Sequence, residues 1–344
     1  MEKRPKNQDS KPVTMRDLAS YASVSTSTVS NVLNNARYVN PMTREKVEEA
    51  IKELGYRPNK LAQALVQKYT NTIGVIIPDN ANPFFSELVR GVEEILANAG
   101  YFVFIGNSDN DTIKERNYLH GYIERHVDGL IIAIASETDF KDLFAINTKL
   151  PIVIVDRAIR NWTGDCVVPD NETGMQLAVG HLVSLGHKSI ALINGDTSLS
   201  TAKERRKGFE ASMQSYGLSP TSMSEGVFSV DSGYLQTVAL LHNSQRPTAI
   251  CAANDLLAIG AMRAIFEADL KIPEDVSIVG YDDIPFASFI HPSLTTISQS
   301  ARSIGTESAQ LLLKRLRNSH ENPIRIIMDP KIIIRHSTTK PGRL

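Results

Sequence analysis

Val24-Ser25-Thr26-Ser27-Thr28-Val29-Ser30-Asn31-Val32-Leu33-Asn34 reads as a short helix with a polar start and an apolar stripe. Ser25 can cap it, and Val29, Val32 and Leu33 recur at the spacing that places side chains on one helix face. The linker Ala22-Ser23-Val24-Ser25 is too short for anything but a tight turn. Upstream, Thr14 can cap a helix with Asp17 at the capping-box position, and Leu18, Ala19 and Ala22 give that helix an apolar face. Downstream, Asn40 can cap a third helix, Pro41 fits its first turn and Gly55 its stop. Val47, Ala50, Ile51 and Leu54 then face a small shared core. Residues 13–57 are therefore read as a small all-α domain, preceded by a disordered tail over 1–12.

Two helices joined by so short a turn suit a DNA reader. Thr26-Ser27-Thr28 offers small hydroxyl side chains that let the helix start approach phosphates and base edges closely, and Asn31, one turn on, can bond an adenine edge. An ordinary capped three-helix bundle fits the same pattern.

The rest of the chain is of another kind. At 344 residues there is room for two or three units, and 42% hydrophobic with 22% charged residues is typical of a soluble globular protein. No apolar run approaches the ~20 residues of a membrane span. Met1 to Pro12 is polar and lacks an apolar signal core, which predicts a cytoplasmic protein without membrane association. Cys166 and Cys251 lie far apart, in neither a CxxC nor a metal-ligand spacing, so no metal and no cofactor are expected. Net charge is −1, with a basic excess in residues 1–72 and an acidic excess beyond. A basic head on an acidic body fits a polyanionic partner, and a solvated charged face fits it as well.

From Ile73 onward, short apolar runs rich in β-branched residues alternate with amphipathic segments. The runs include Ile73–Ile77, Phe102–Ile105, Leu130–Ile134, Ile152–Val155, Ile190–Ile193, Ala249–Ala252 and Val276–Val279. Phe84–Ala99, Glu172–Leu185 and Leu256–Ala268 lie between them. This alternation predicts parallel sheets with helices on both faces, and about seven units over ~270 residues suit two lobes. Ligands of open α/β sheets bind beyond the carboxyl ends of strands, so the polar residues there are the candidate site. Aromatic faces, carboxylates and guanidinium forks suit a polyol. No P-loop GxxxxGK[ST], GxSxG, HExxH or strand-placed GxGxxG occurs, so no enzyme is expected.

Val13 to Leu54, with the stretch quoted first, resembles the DNA-binding domain of the lactose/galactose repressor (LacI/GalR) family. Gly55-Tyr56-Arg57-Pro58-Asn59-Lys60-Leu61-Ala62-Gln63-Ala64-Leu65 resembles that family's hinge, here residues 58–70. The resemblance implies a helix-turn-helix domain in which Thr26, Ser27 and Asn31 read bases in the major groove. Thr14, Ser25, Thr28, Ser30, Asn34 and Asn59 complete the DNA-facing set. Many members carry Arg or His where Asn31 stands, which implies a different operator. The hinge is too short for a stable isolated helix. In the family it folds when two copies meet over the minor groove, where Leu65 matches the leucine that wedges between central base pairs. Packing against the sensor is the plainer role for Leu65.

Gly280-Tyr281-Asp282-Asp283-Ile284, then Ala287, Pro292 and Leu294-Thr295-Thr296-Ile297, resembles the family's late sensor signature. The lobes also resemble ribose- and hexose-binding periplasmic proteins, giving an α/β, two-lobed type I periplasmic-binding-protein-like sensor over 71–340. By that likeness the first lobe holds about 73–168 and 301–327, and the second about 169–300 and 328–340. The sugar-contact positions are occupied by Asn82, Phe84, Phe85, Asp156, Arg157, Arg205, Phe228, Asn254, Asp282 and Gln299. The resemblance implies that the three phenylalanines sandwich a sugar ring and that the aspartates and arginines take its hydroxyls. Purine-sensing and ribose-repressor relatives often have Trp at Arg157, a departure that favours a site like that of the periplasmic sugar proteins.

Each residue has a plainer role open to it. Phe85 and Phe228 fit a core, Arg205 a salt bridge with Glu204 or Asp231, and Asp282 a turn. Arg157, Arg205 and Lys203 would together suit a phosphosugar. The whole implies a homodimer on palindromic double-stranded operator DNA, repressing sugar-utilisation genes until a small sugar effector releases it. The tail after His336 lacks a heptad repeat, which favours a dimer over a tetramer. The alternatives are a purine or phosphosugar effector, or a solute-binding protein. The last would have no use for residues 13–67.

Overall fold

The computed structural model describes residues 13–34, 37–56, 69–136, 150–159, 161–243, 245–318 and 322–342. The expectations for residues 1–12, for Asn59 and for Leu65 lie outside the described residues, as does the side chain of Asn34. The chain divides into two compact units, Met1–Thr70 and Asn71–Leu344.

The first unit holds α1 (Met15–Tyr21), α2 (Thr26–Asn34) and α3 (Pro41–Glu53). The Thr14 amide and hydroxyl both donate to the Asp17 carboxylate at 2.7 Å, and the Asp17 amide donates back to the Thr14 hydroxyl. These bonds, the backbone one first, hold the Asp17 carboxyl below its ordinary range. The Thr28 amide donates to Ser25 Oγ at 3.1 Å, and the Met42 amide to Asn40 Oδ1 at 3.0 Å. Ser23 makes the tight turn possible by adopting a left-handed φ of 52°. Leu18, Val29, Val47 and Ala50 form the buried core, with Leu33, Ile51 and Leu54 packed against it.

The second unit is two six-stranded sheets. The first sheet takes β1 (Thr72–Ile77), β2 (Phe102–Asn107), β3 (Gly129–Ile132), β4 (Ile152–Val155), β5 (Asp165–Pro169) and, late in the chain, β11 (Arg325–Met328). Its order is β11-β5-β4-β3-β1-β2, all parallel. The second takes β6 (Ile190–Asn194), β7 (Ser222–Glu225), β8 (Ala249–Ala252), β9 (Ser277–Asp282), β10 (Thr295–Ser298) and β12 (Lys331–Ile333). Its order is β12-β10-β9-β8-β6-β7, with β12 antiparallel to β10. The chain passes between sheets three times, at Asp170, at Gln299–Ser300 and at Asp329–Pro330.

Central strands are buried on both faces, which is why they read as continuous apolar runs. The edge strand β7, Ser-Met-Ser-Glu, alternates between half-buried and exposed and gives no such run.

Among the described residues, the helices between strands are α4 (Pro83–Asn98), α5 (Thr112–Glu124), α6 (Asn171–Ser184), α7 (Ser200–Ser215), α8 (Val230–Leu241), α9 (Asp255–Glu267) and α10 (Ala301–Arg317). Two pairs approach backbone to backbone. A Cβ on Gly91 of α4 would collide with Arg302 O of α10, and one on Gly305 of α10 would collide with Leu88 O. Gly233 of α8 and Gly260 of α9 repeat the arrangement in the second lobe, against Leu257 O and Val230 O. Close approach of two helices requires glycine at such positions. Ile284, beyond β9, and Leu256 and Ile259 of α9 join the apolar cluster of the first lobe, so the lobes share packed contacts.

Candidate functional site

All ten effector residues read from the sequence line one cavity of about 430 Å³. The size is within the usual range for small-molecule sites. Strand ends deliver four of them. Asp156 and Arg157 directly follow β4, Asp282 closes β9, and Gln299 follows β10. Asn82 and Asn254 start α4 and α9, where their carbonyl oxygens accept from the Phe84 amide at 3.0 Å and the Leu257 amide at 2.8 Å. These caps spend each carbonyl oxygen and leave the amide NH2 as the group for a ligand.

Phe84 and Phe85 stand edge to face, ring centres 5.1 Å apart, and both belong to the first-lobe core as well as the cavity wall. Phe228 lies on the other lobe, its ring packed so closely on Gly195 that a Cβ there would collide with it.

The charged groups form a buried network. Arg205 is only 3% exposed. Its Nε donates to Asn171 Oδ1 at 2.9 Å and its Nη1 to Ala253 O, while Nη2 lies 3.5 Å from Asp282 Oδ1. Its guanidinium carbon lies 3.9 Å from the centre of the Tyr281 ring, a close cation–π contact. Asn171 is in turn held by Glu204, so the glutamate beside Arg205 acts through an amide rather than as the arginine's own ion pair. Arg157 Nη1 donates to Asn110 Oδ1 at 2.9 Å and to Ile134 O at 2.7 Å, with Asp156 Oδ2 3.9 Å from its Nε. Gln299 Nε2 donates to Asp282 Oδ1, and Gln299 Oε1, though fully buried, has no protein partner among the described residues. A buried acceptor without a donor is a place for a ligand hydroxyl.

Burial pushes the Asp282 carboxyl up to about 7, against the pull of Arg205 and with the repulsion of Asp156 added. Burial likewise raises Asp156, offset by Arg157 and then Arg205. Behind the site, Glu115 accepts from the Ala135 amide, and burial pushes it up to about 7. Asp255, raised chiefly by burial, accepts from Thr296 Oγ1 and the Ile284 amide.

Other lining residues were not read from the sequence. Asp79, Asn110, Ser136 and Asp196 follow β1, β2, β3 and β6 within a few residues, so the strand-end rule could have found them. Ser198, Leu199 and Thr201 belong to the start of α7, which carries no side-chain cap. Lys203 is exposed and is not among the lining residues, so the three-cation cradle for a phosphate is not assembled.

On the first unit, Ser25, Thr26 and Ser27 are exposed, and Thr28, Ser30 and Asn31 are half-buried. Ser25 Oγ bonds Ser27 Oγ at 2.7 Å and Thr28 Oγ1 at 2.8 Å, which orders the start of α2. A groove lined by Arg16, Ser20, Ser23, Ser25 and Thr26 runs beside it. Thr14 serves the α1 capping box.

A helix-turn-helix head and a two-lobed sensor with a polar cavity define a ligand-responsive DNA-binding transcription regulator. Residues 14–59 match the family model described as bacterial regulatory proteins, lacI family. Residues 70–336 match that of periplasmic binding proteins and sugar binding domain of LacI family. The chain belongs to the LacI family and is a transcriptional repressor rather than an enzyme. It is 38% identical over 327 residues to the HTH-type transcriptional repressor PurR of Pasteurella multocida, covering 94% of this chain and 98% of that protein. The lac repressor dimer bound to operator and the anti-inducer ONPF is similar in structure, with a TM-score of 0.88 and 35% identity. That likeness covers 96% of this chain and 100% of the other. A LacI family regulator from Enterococcus faecium with bound ribose has a TM-score of 0.72 and 35% identity, covering 78% of this chain and 99% of that one.

Proposed function

We propose that the chain binds a near-palindromic operator of ~16–20 base pairs as a homodimer and is released by a free monosaccharide, a ribose-like pentose before a hexose. In this reading Thr26, Ser27 and Asn31 meet base edges. Thr14, Ser25, Thr28, Ser30, Asn34 and Asn59 meet the backbone, and Leu65 wedges the central step. A regulator of this kind works in the cytoplasm.

The observation that carries the effector is the composition of the cavity. Two buried aspartate–arginine sets, one on each lobe, face three phenyl rings and four side-chain amides. Hydroxyls need just such donors and acceptors, and sugar C–H faces need the rings. The likeness to the ribose-bound Enterococcus regulator supports the same choice. A sugar touching both lobes favours their closed arrangement. By linkage, whatever factor sugar applies to DNA affinity, DNA applies to sugar affinity.

A second reading, a purine effector, is favoured by the likeness to repressors named PurR. Arg157, buried and donating to Asn110 and Ile134 O, stands where the purine-sensing relatives often place Trp and counts against it. A thermal-shift screen of the full chain against pentoses, hexoses and purines separates the two. The binder is then added to an operator titration. The proposed effector stabilises the protein and weakens operator binding. Tight sugar binding with operator affinity unchanged defeats the reading.

A further inference from the structure

The charges lining the cavity are out of balance. Four aspartates, Asp79, Asp156, Asp196 and Asp282, face two arginines, Arg157 and Arg205. Both guanidinium groups already donate to acceptors of the chain itself. Arginine forks are the groups that take phosphate oxygens, and here part of each fork is already spent within the chain. Asp79 is half-buried and follows β1 of the first lobe, while Asp196 is exposed and follows β6 of the second. Each lobe therefore sets one carboxylate on the solvent-facing part of the lining. Both are fixed by their own turns, Asp79 accepting from the Ala81 amide at 2.9 Å and Asp196 from the Ser198 amide at 2.8 Å.

Burial raises the carboxyls of Asp156 and Asp282 in spite of the two arginines, so the interior already disfavours negative charge. The uncapped start of α7 favours an anion, but Asp196 lies three residues before its cap residue and offsets it.

We propose that the cavity accepts uncharged sugars and refuses their phosphates, with Asp79 and Asp196 setting that preference. The inference rests on the sugar reading above. Phosphorylation of a sugar hydroxyl adds between one and two negative charges at neutral pH. The signal is then the substrate of a sugar-phosphorylating reaction, and the product of that reaction is silent.

The test is calorimetric titration of the full chain with ribose, ribose 5-phosphate, hypoxanthine and inosine monophosphate at low and high salt. Ribose 5-phosphate is expected to bind at least about 100-fold more weakly than ribose. That is about tenfold for each carboxylate, for charges on the order of 7 Å apart at an effective dielectric constant of about 40. The gap should narrow as salt rises, because exposed charges are screened. Asp79→Asn and Asp196→Asn should each raise the ratio of phosphate to free-sugar affinity about tenfold, a response that a merely structural role would not give. Ribose 5-phosphate binding as tightly as ribose overturns the proposal, as does a ratio that neither salt nor either variant moves. Hypoxanthine binding with neither sugar binding defeats the sugar reading. Inosine monophosphate then decides the charge rule: refusal relieved by the two variants supports it, and equal binding overturns it. Binding of none of the four overturns both.

Discussion

Replacing Arg205 by methionine should destabilise the protein by an amount that depends on pH in a defined direction. The substitution keeps the chain length over Tyr281 but removes the donors to Asn171 and Ala253 O and the cation 3.5 Å from Asp282. The two lost hydrogen bonds are independent of pH and cost about 2 kcal/mol together. The remainder comes from Asp282, whose folded carboxyl sits at about 7 against an ordinary value of 3.8. Between those values the folded state holds the proton and the unfolded state does not, so the contribution of Asp282 to wild-type stability falls as pH rises towards 7 and then levels. Without Arg205, the group that pulls Asp282 down is gone, and Asp156 loses a countercharge as well. Both carboxyls then rise further, and in the variant the Asp282 contribution goes on falling above pH 7, where in the wild type it has levelled. The gap should be about 2 kcal/mol near pH 5.5 and about 4 kcal/mol near pH 8.5, within the range for breaking a buried ion pair. Urea unfolding of the full chain at the two pH values, followed by circular dichroism, measures it. A gap equal at both values would show that Asp282 does not depend on Arg205 in the fold.

Asp282→Asn keeps the shape and the Gln299 contact but removes the carboxylate. Ribose affinity should fall about 100-fold, the worth of a charge-assisted hydrogen bond or two, with operator affinity intact in a gel-shift titration. Gly195→Ala places a methyl against the Phe228 ring and should push it towards the cavity. Sugar affinity should drop at least about tenfold while stability falls by about 1–3 kcal/mol, and unchanged calorimetric affinity would place that ring outside the contact. Leu65→Ala should weaken operator binding about tenfold or more and reduce DNA bending, read by circular-permutation gel shift, with the sugar isotherm unmoved.

Local signals carried the head of the chain. Thr14, Ser25, Asn40 and Gly55 mark helix ends through short-range hydrogen bonds and backbone conformation, which sequence spacing encodes directly. In the sensor, β1, β4, β6 and β8 were legible because burial on both faces leaves an uninterrupted apolar run. β7 and β11 were not, since they expose alternate residues, and β12 was not, since it is only three residues long and its pairing comes from distant partners such as Thr296 with Ile333. The ten cavity residues came from likeness to sugar-binding proteins, and their position after strands gave the physical reason. The supporting layer was hidden. Nothing local shows that Asn110 receives Arg157 across 47 residues, or that Asn171 joins Glu204 to Arg205. Arg205 was open to an ion pair with Glu204 or Asp231, and only tertiary placement assigns it to Asp282.

The three passages between the sheets are one or two residues long. A two-residue tether spans at most ~7 Å, and Pro330 stiffens one of them. Three such tethers side by side forbid the lobes to slide apart and leave them only rotation. Any work a ligand does on this molecule is therefore torque. Because Gln299 is both a wall of the cavity and part of a tether, grip on the ligand is applied at the pivot itself, where α10 begins two residues later.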